Sequence, residues 1–148
     1  MSPSIRALMQ GPLPVTAPLV LNPLMARMAE VAGFPAGYLG GGATGYQKVS
    51  LEANLNLTEM CQAALDIRAV SSLLLILDGA CGYGDPMHMH RTVGMAESAG
   101  FSAIDIEDQR VPKRAHHHVG IEHMIPMELM AAKVREAVGA RRSPGFLI

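Results

Sequence analysis

The chain has no tryptophan, three phenylalanines and three tyrosines, so its core cannot be organised around large aromatic rings. It has two cysteines, Cys61 and Cys81, too few for the disulfide framework of a small secreted domain, and a reducing compartment, the cytoplasm, is the expectation. The longest apolar stretch, Leu73 to Leu77, is far too short to span a bilayer, and Met1 to Gln10 hold no run resembling a signal-peptide core. No membrane partner is expected. Charged residues make up 17% of the chain, with both signs interspersed and a formal net charge of -1, so there is no basic stripe to hold nucleic acid.

What is present suits a single folded unit: 148 residues, 49% of them apolar, are enough for one core. Eleven methionines are expected to fill that core as flexible aliphatic side chains. Strand-like and helix-like patterns alternate along the chain, separated by short Gly/Pro punctuation, as in repeated βα units on a parallel sheet.

Val15 to Leu21 reads as a first strand and Pro23 to Ala32 as a helix, with Asn22 its N-cap, proline at the first helical position and Gly33 ending it. Ala36 to Leu39 reads as a second strand running into Gly40, Gly41 and Gly42. Asn56 or Thr58 opens a helix with Met60, Ala63, Ala64 and Ile67 on one face. Ser71 to Leu77 is a nearly continuous apolar strand ending in Asp78. A helix from Pro86 to Ala99 precedes a fourth strand, Ala103 to Ile106, which ends in Glu107. Pro126 to Ala140 is the last helix, with Met127, Met130, Val134 and Val138 at helical spacing, and Gly145 to Ile148 begins a fifth strand.

Four βα units and the start of a fifth suit the first part of a (β/α)8 barrel, strands one to five, in which the sheet is still open and residues 1–148 are an incomplete domain. An open doubly wound sheet is the structural alternative. In either arrangement the functional face lies at the strand C-termini, where the distinctive polar residues cluster. Three glycines follow the second strand, with backbone N–H groups that can approach an anion such as a carboxylate. Asp78 and Glu107 end neighbouring strands, and two hard carboxylates are a reasonable start for Mg2+, which keeps several waters and needs few protein ligands.

The segment Pro112-Lys113-Arg114-Ala115-His116-His117-His118 is a long polar connection of the kind that carries function. With His88, His90 and His123 it offers imidazoles for zinc. However, His88 and His90 are two apart and face different ways on a helix, and three consecutive histidines do not converge easily on one ion.

At these residues the chain resembles the isocitrate lyase and phosphoenolpyruvate mutase superfamily. Asn22-Pro23-Leu24-Met25-Ala26-Arg27 resembles the family's D-A-L-S-A-R, and Tyr38-Leu39-Gly40-Gly41-Gly42 resembles Y-L-S-G-G. Asp78 to Gly84 resembles D-A-D-T-G-Y-G. Ile104 to Gln109 resembles I-H-I-E-D-Q, Pro112 to His117 resembles P-K-R-C-G-H, and Phe146-Leu147-Ile148 resembles the start of F-L-I-I-A-R-T.

The resemblance implies a barrel and a Mg2+-dependent lyase or mutase, with Mn2+ able to substitute. Such an enzyme cleaves or forms a C–C or P–C bond through an enolate of a small 2-oxo or 2-hydroxy acid. It implies Asp78 and Glu107 as metal ligands and Gly40, Gly41 and Gly42 as the substrate-carboxylate site. Tyr38, Lys113, Arg114 and His117 become the catalytic candidates, and a homo-oligomer, or a missing C-terminal half, the expected partner. A degenerate half-barrel homologue that binds a ligand or assembles with another chain is the competing class.

Three departures stand out. Ala115 replaces the cysteine that supplies a proton in the lyases of isocitrate and methylisocitrate, Ala80 replaces the second aspartate of D-x-D, and Gly40 replaces a substrate-binding serine. A further family aspartate has no clear counterpart; Glu52 is the nearest acid.

Overall fold

The computed structural model describes residues 4–113, 119–120 and 123–148. Six helices are α1 (Ile5–Met9), α2 (Pro23–Val31), α3 (Gly41–Gln47), α4 (Leu57–Arg68), α5 (Met89–Ser98) and α6 (Met127–Ala140), and three strands are β1 (Ala36–Leu39), β2 (Leu74–Asp78) and β3 (Ala103–Asp105). Short 3-10 turns, Glu52–Asn54 and Pro86–His88, precede α4 and α5.

Local chemistry explains most of these boundaries. The Asn22 side chain accepts the Met25 N–H ahead of Pro23, and the chain leaves α2 through Gly33 at φ +85°, the left-handed conformation glycine adopts without a Cβ penalty. In α4, Asn56 and Glu59 form a capping box, satisfying two orphan N–H groups reciprocally.

The strands are parallel and follow chain order. β1 pairs with β2 (Tyr38 opposite Ile76) and β2 with β3 (Asp78 opposite Asp105). The segment expected as a first strand, Val15 to Leu21, contributes a parallel bridge, Leu19 to Tyr38. Gly145 to Ile148 contributes another, Leu147 to Ala103. Both are shorter than expected: the first keeps only the bonds from Val20 N to Tyr38 O and from Tyr38 N to Pro18 O. Pro18 lies within this stretch and Pro14 and Pro23 flank it, and a proline has no N–H to extend a ladder.

Sequence neighbours are thus spatial neighbours across five parallel segments. A doubly wound sheet of the flavodoxin type instead places its first strand between the second and third, so that alternative is set aside.

The core lies between the sheet and the helices. Leu39, Leu75, Leu77 and Ile104 are buried against Ala26, Ala29, Met60, Ala64, Ile67, Val93 and Ala96. The longer helices pack side by side, α2 on α4, α4 on α5 and α5 on α6. Strand periodicity sends Tyr38, Leu74, Ile76 and Asp78 to the other face, which is only half-buried.

Two expectations about packing need correction. Among the described methionines only Met60 and Met89 are fully buried; Met9, Met28, Met87, Met124 and Met127 are exposed. In α6 the stripe through Met127, Val134 and Val138 faces outward, Met130 is only partly covered, and the buried positions are Lys133 and Ala137. The long lysine stem crosses apolar ground so that its ammonium can bond the Cys81 carbonyl, an outcome that hydropathy alone does not anticipate. Among the described residues no helix is long and apolar enough to cross a membrane.

Candidate metal centre at the strand ends

The site grows out of the C-terminal ends of β1, β2 and β3. Asp78 is the last residue of β2, and its carboxylate is pinned from two sides: Oδ2 accepts the Gly41 N–H at 2.7 Å and Oδ1 the Ala80 N–H at 3.0 Å. The turn after Asp78 is tied to the end of β3, because Gly79 N donates to the Asp105 carbonyl and Glu107 N to the Ala80 carbonyl. Ala80 holds φ +45°, a left-handed conformation that costs a non-glycine residue about 1–2 kcal/mol.

Glycines 40–42 do not form the open loop expected of them. Gly40 is the N-cap of α3, its carbonyl accepting the Thr44 hydroxyl, and Gly41 and Gly42 are the first helical residues. The Gly41 N–H therefore serves Asp78 here. Glycine is required for packing as well: a Cβ at Gly41 would lie 2.7 Å from Glu52 Cγ, and one at Gly45 would lie 2.9 Å from Glu52 N.

That close approach brings Glu52 into the site. Oxygens of Glu52, Asp78 and Glu107 lie within 4.8 Å of one another, and this is the only such group of His, Cys, Asp or Glu among the described residues. The two acids singled out at strand ends do meet. The third member had no motif to mark it, only its standing as the nearest acid to a missing aspartate.

Lys113 joins the cluster, with Nζ 2.5 Å from Glu52 Oε1 and 2.7 Å from Glu107 Oε2. Burial opposes its charge, but the bonds to Glu107 and Glu52 outweigh burial and hold its proton above the ordinary lysine value.

Tyr38, on β1, donates its hydroxyl to Asp105 Oδ2 at 2.8 Å. Burial first, then the charge of Asp78 and the bond to Asp105, push this phenol far above the usual tyrosine range, so it stays a proton donor. Burial also raises the Asp105 carboxyl, against the opposing bonds from Tyr38 and Gly79. Asp105 escaped the sequence reading although its register partner is Asp78.

A cleft of about 440 Å3 opens beside the cluster, with Glu52, Ala80, Cys81, Tyr83, Arg91 and Lys113 in its wall. The Cys81 thiol there is pushed up to about 11, by burial and then by Glu107, which leaves it inert as a nucleophile at neutral pH.

Of the candidate zinc ligands, His88 pairs with Asp85 at 2.7 Å and His90 with Glu136 at 2.9 Å. Arg114, His116, His117 and His118, with Ala115, lie outside the described residues.

Three hard carboxylates thus converge at the C-terminal ends of sequentially ordered parallel strands. The profile of the phosphoenolpyruvate phosphomutase family matches residues 5–148. The chain belongs to this family. It is 40% identical over 129 residues to a 2-methylisocitrate lyase of Aeropyrum pernix, covering 86% of this chain and 42% of the relative.

Among solved structures it is similar to the phosphoenolpyruvate phosphomutase of Streptomyces platensis subsp. rosaceus, with a TM-score of 0.89, 28% identity, and coverage of 97% of this chain and 50% of that one. It is similar as well to a phosphonopyruvate hydrolase in complex with oxalate and Mg2+, with a TM-score of 0.79, 29% identity, and coverage of 88% and 45%. The chain thus spans about half the length of the phosphomutase-family proteins it matches.

Proposed function

We propose that residues 1–148 supply strands one to five of a (β/α)8 barrel, and that the barrel mouth catalyses Mg2+-dependent cleavage or formation of a C–C or P–C bond in a small 2-oxo or 2-hydroxy acid. The convergence of Glu52, Asp78 and Glu107 within 4.8 Å carries this reading, because isolated strand-end acids that merely cap helices have no reason to meet. The donor set fits the ion: all three are hard oxygen ligands, as Mg2+ requires, and Asp78 is held in place by two N–H groups. When bound, Mg2+, or Mn2+ in its place, would polarise the substrate oxygens as a Lewis acid.

The chain's own groups supply the rest. Glu52, Asp78 and Glu107 would hold the ion, and Tyr38, whose one hydroxyl proton is donated to Asp105, would have to turn from that carboxylate to donate to a substrate oxygen. Lys113 brings a positive charge to the wall of a cleft whose volume suits a small carboxylate. Gly40 to Gly42 lie at the same strand end, and Arg114 and His117 follow Lys113 in sequence, so all remain candidates for substrate contact. With Ala115 there is no thiol to serve as acid or base at that position, which directs the reading away from isocitrate and methylisocitrate. The same reading expects a homo-oligomeric cytoplasmic protein.

Assays of the protein on oxaloacetate, methylisocitrate, dimethylmalate and phosphonopyruvate test the proposal. Turnover of one of the four that requires Mg2+ and is lost in Asp78→Ala and Glu107→Ala supports it. Turnover that persists in chelator contradicts it.

A further inference from the structure

Three carboxylates gathered within 4.8 Å repel one another, and the structure relieves part of that repulsion with a group of its own. The Lys113 ammonium lies 2.5 Å from Glu52 and 2.7 Å from Glu107, spanning two of the three acids. The Lys113 side chain is only 6% exposed and that of Glu52 10%, so this pairing is largely withdrawn from water and weakly screened.

We propose that Lys113 is the resident counter-cation of the cluster and competes with the divalent ion for it, an inference that rests on the metal-site reading above. A charged ammonium has three donors and no lone pair, so it cannot become a ligand. An ion shared by Glu52 and Glu107 therefore either displaces Lys113 or accepts a like charge against it. The flexible four-carbon stem of lysine makes displacement the easier course. Affinity for the ion is then set partly by the work of freeing the ammonium, and Lys113 couples ion binding to the position of its own segment.

The test compares Mn2+ binding to the wild-type protein and Lys113→Met by isothermal titration and by the spin-resonance signal of free Mn2+. The expected result is tighter binding by Lys113→Met, by about tenfold or more. In chelator this variant melts below the wild type, and Mn2+ raises its Tm by the larger increment. A lysine with a merely structural role would lower the melting temperature without tightening binding.

A second measurement needs no stable variant of the lysine-free kind. In the wild type, addition of Mg2+ shifts the nitrogen resonance of the Lys113 ammonium, assigned with Lys113→Arg. Mn2+ bound by the wild type but no more tightly by Lys113→Met, or a Lys113 resonance indifferent to Mg2+ that binds, overturns the competition and leaves the site standing. Absence of binding to either protein overturns both.

Discussion

Gly41 N donates to Asp78 Oδ2 at 2.7 Å, and this bond joins the first turn of α3 to the end of β2. It explains why the glycines after β1 open a helix: the turn must press its backbone against an acid on one side and against Glu52 on the other. The carboxylate of Asp78 is consequently fixed before any ligand arrives. In Asp78→Asn the amide nitrogen must face one of the two N–H donors, so a bond is lost. Stability should fall by about 1–3 kcal/mol, measured by denaturant unfolding. Mn2+ affinity should fall at least about 10–100-fold, the range that even outer-shell partners command.

Neighbouring glycines should respond in opposite ways. A Cβ at Gly41 meets Glu52 Cγ at 2.7 Å, so Gly41→Ala displaces the Glu52 side chain and weakens Mn2+ binding. A Cβ at Gly42 meets only Glu52 Oε2, at 3.8 Å, an ordinary contact. Gly42→Ala should therefore stabilise α3 by about 0.5–1 kcal/mol, read as a rise in Tm, with ion affinity unchanged.

Gly79 is constrained by backbone rather than by a side chain. A Cβ there would lie 2.3 Å from the Asp105 carbonyl oxygen and 2.6 Å from Ile104. Gly79→Ala should destabilise the protein by about 3 kcal/mol, the upper end of overpacking effects, because a strand carbonyl cannot swing aside. Denaturant midpoints of this variant and the wild type check it.

Lys133 gives a pH signature of stability. It is 1% exposed, and burial lowers its pKa from the ordinary 10.5, with Cys81 and Asp85 pulling weakly the other way. Between the lowered folded value and 10.5 the unfolded chain binds this proton more tightly than the folded one, so stability rises with pH across that interval. Below the folded value the burial penalty is present in full. Lys133→Met removes the dependence while leaving the Cys81 carbonyl without its partner. Its stability relative to the wild type should therefore decline as pH is raised from neutral into that interval, followed by urea unfolding at each pH.

Much of the fold was legible because local chemistry and tertiary packing agree. Asn22-Pro23 and Asn56 mark helix starts with their own side chains, and Ala36 to Leu39 has the same limits in the sequence reading and in the structure. Asp78 and Glu107 were legible as strand-end acids. Helix α3 was not, since Gly41-Gly42-Ala43-Thr44-Gly45 has poor helix propensity and no apolar period, and its helicity comes from packing against residues 51–52. Glu52 carried no local signal, because a 3-10 turn and the space left by Gly41 and Gly45 bring it to the cluster. The buried face of α6 was misread for a related reason: lysine reads as outward-facing until a carbonyl is found within its reach.

The most direct test is to locate the ion. Anomalous X-ray scattering from Mn2+-loaded crystals should show a single strong peak within coordination distance of the carboxylates of Glu52, Asp78 and Glu107. A peak held elsewhere, or one that keeps its position and occupancy when Asp78 and Glu107 are both replaced by alanine, would contradict the account.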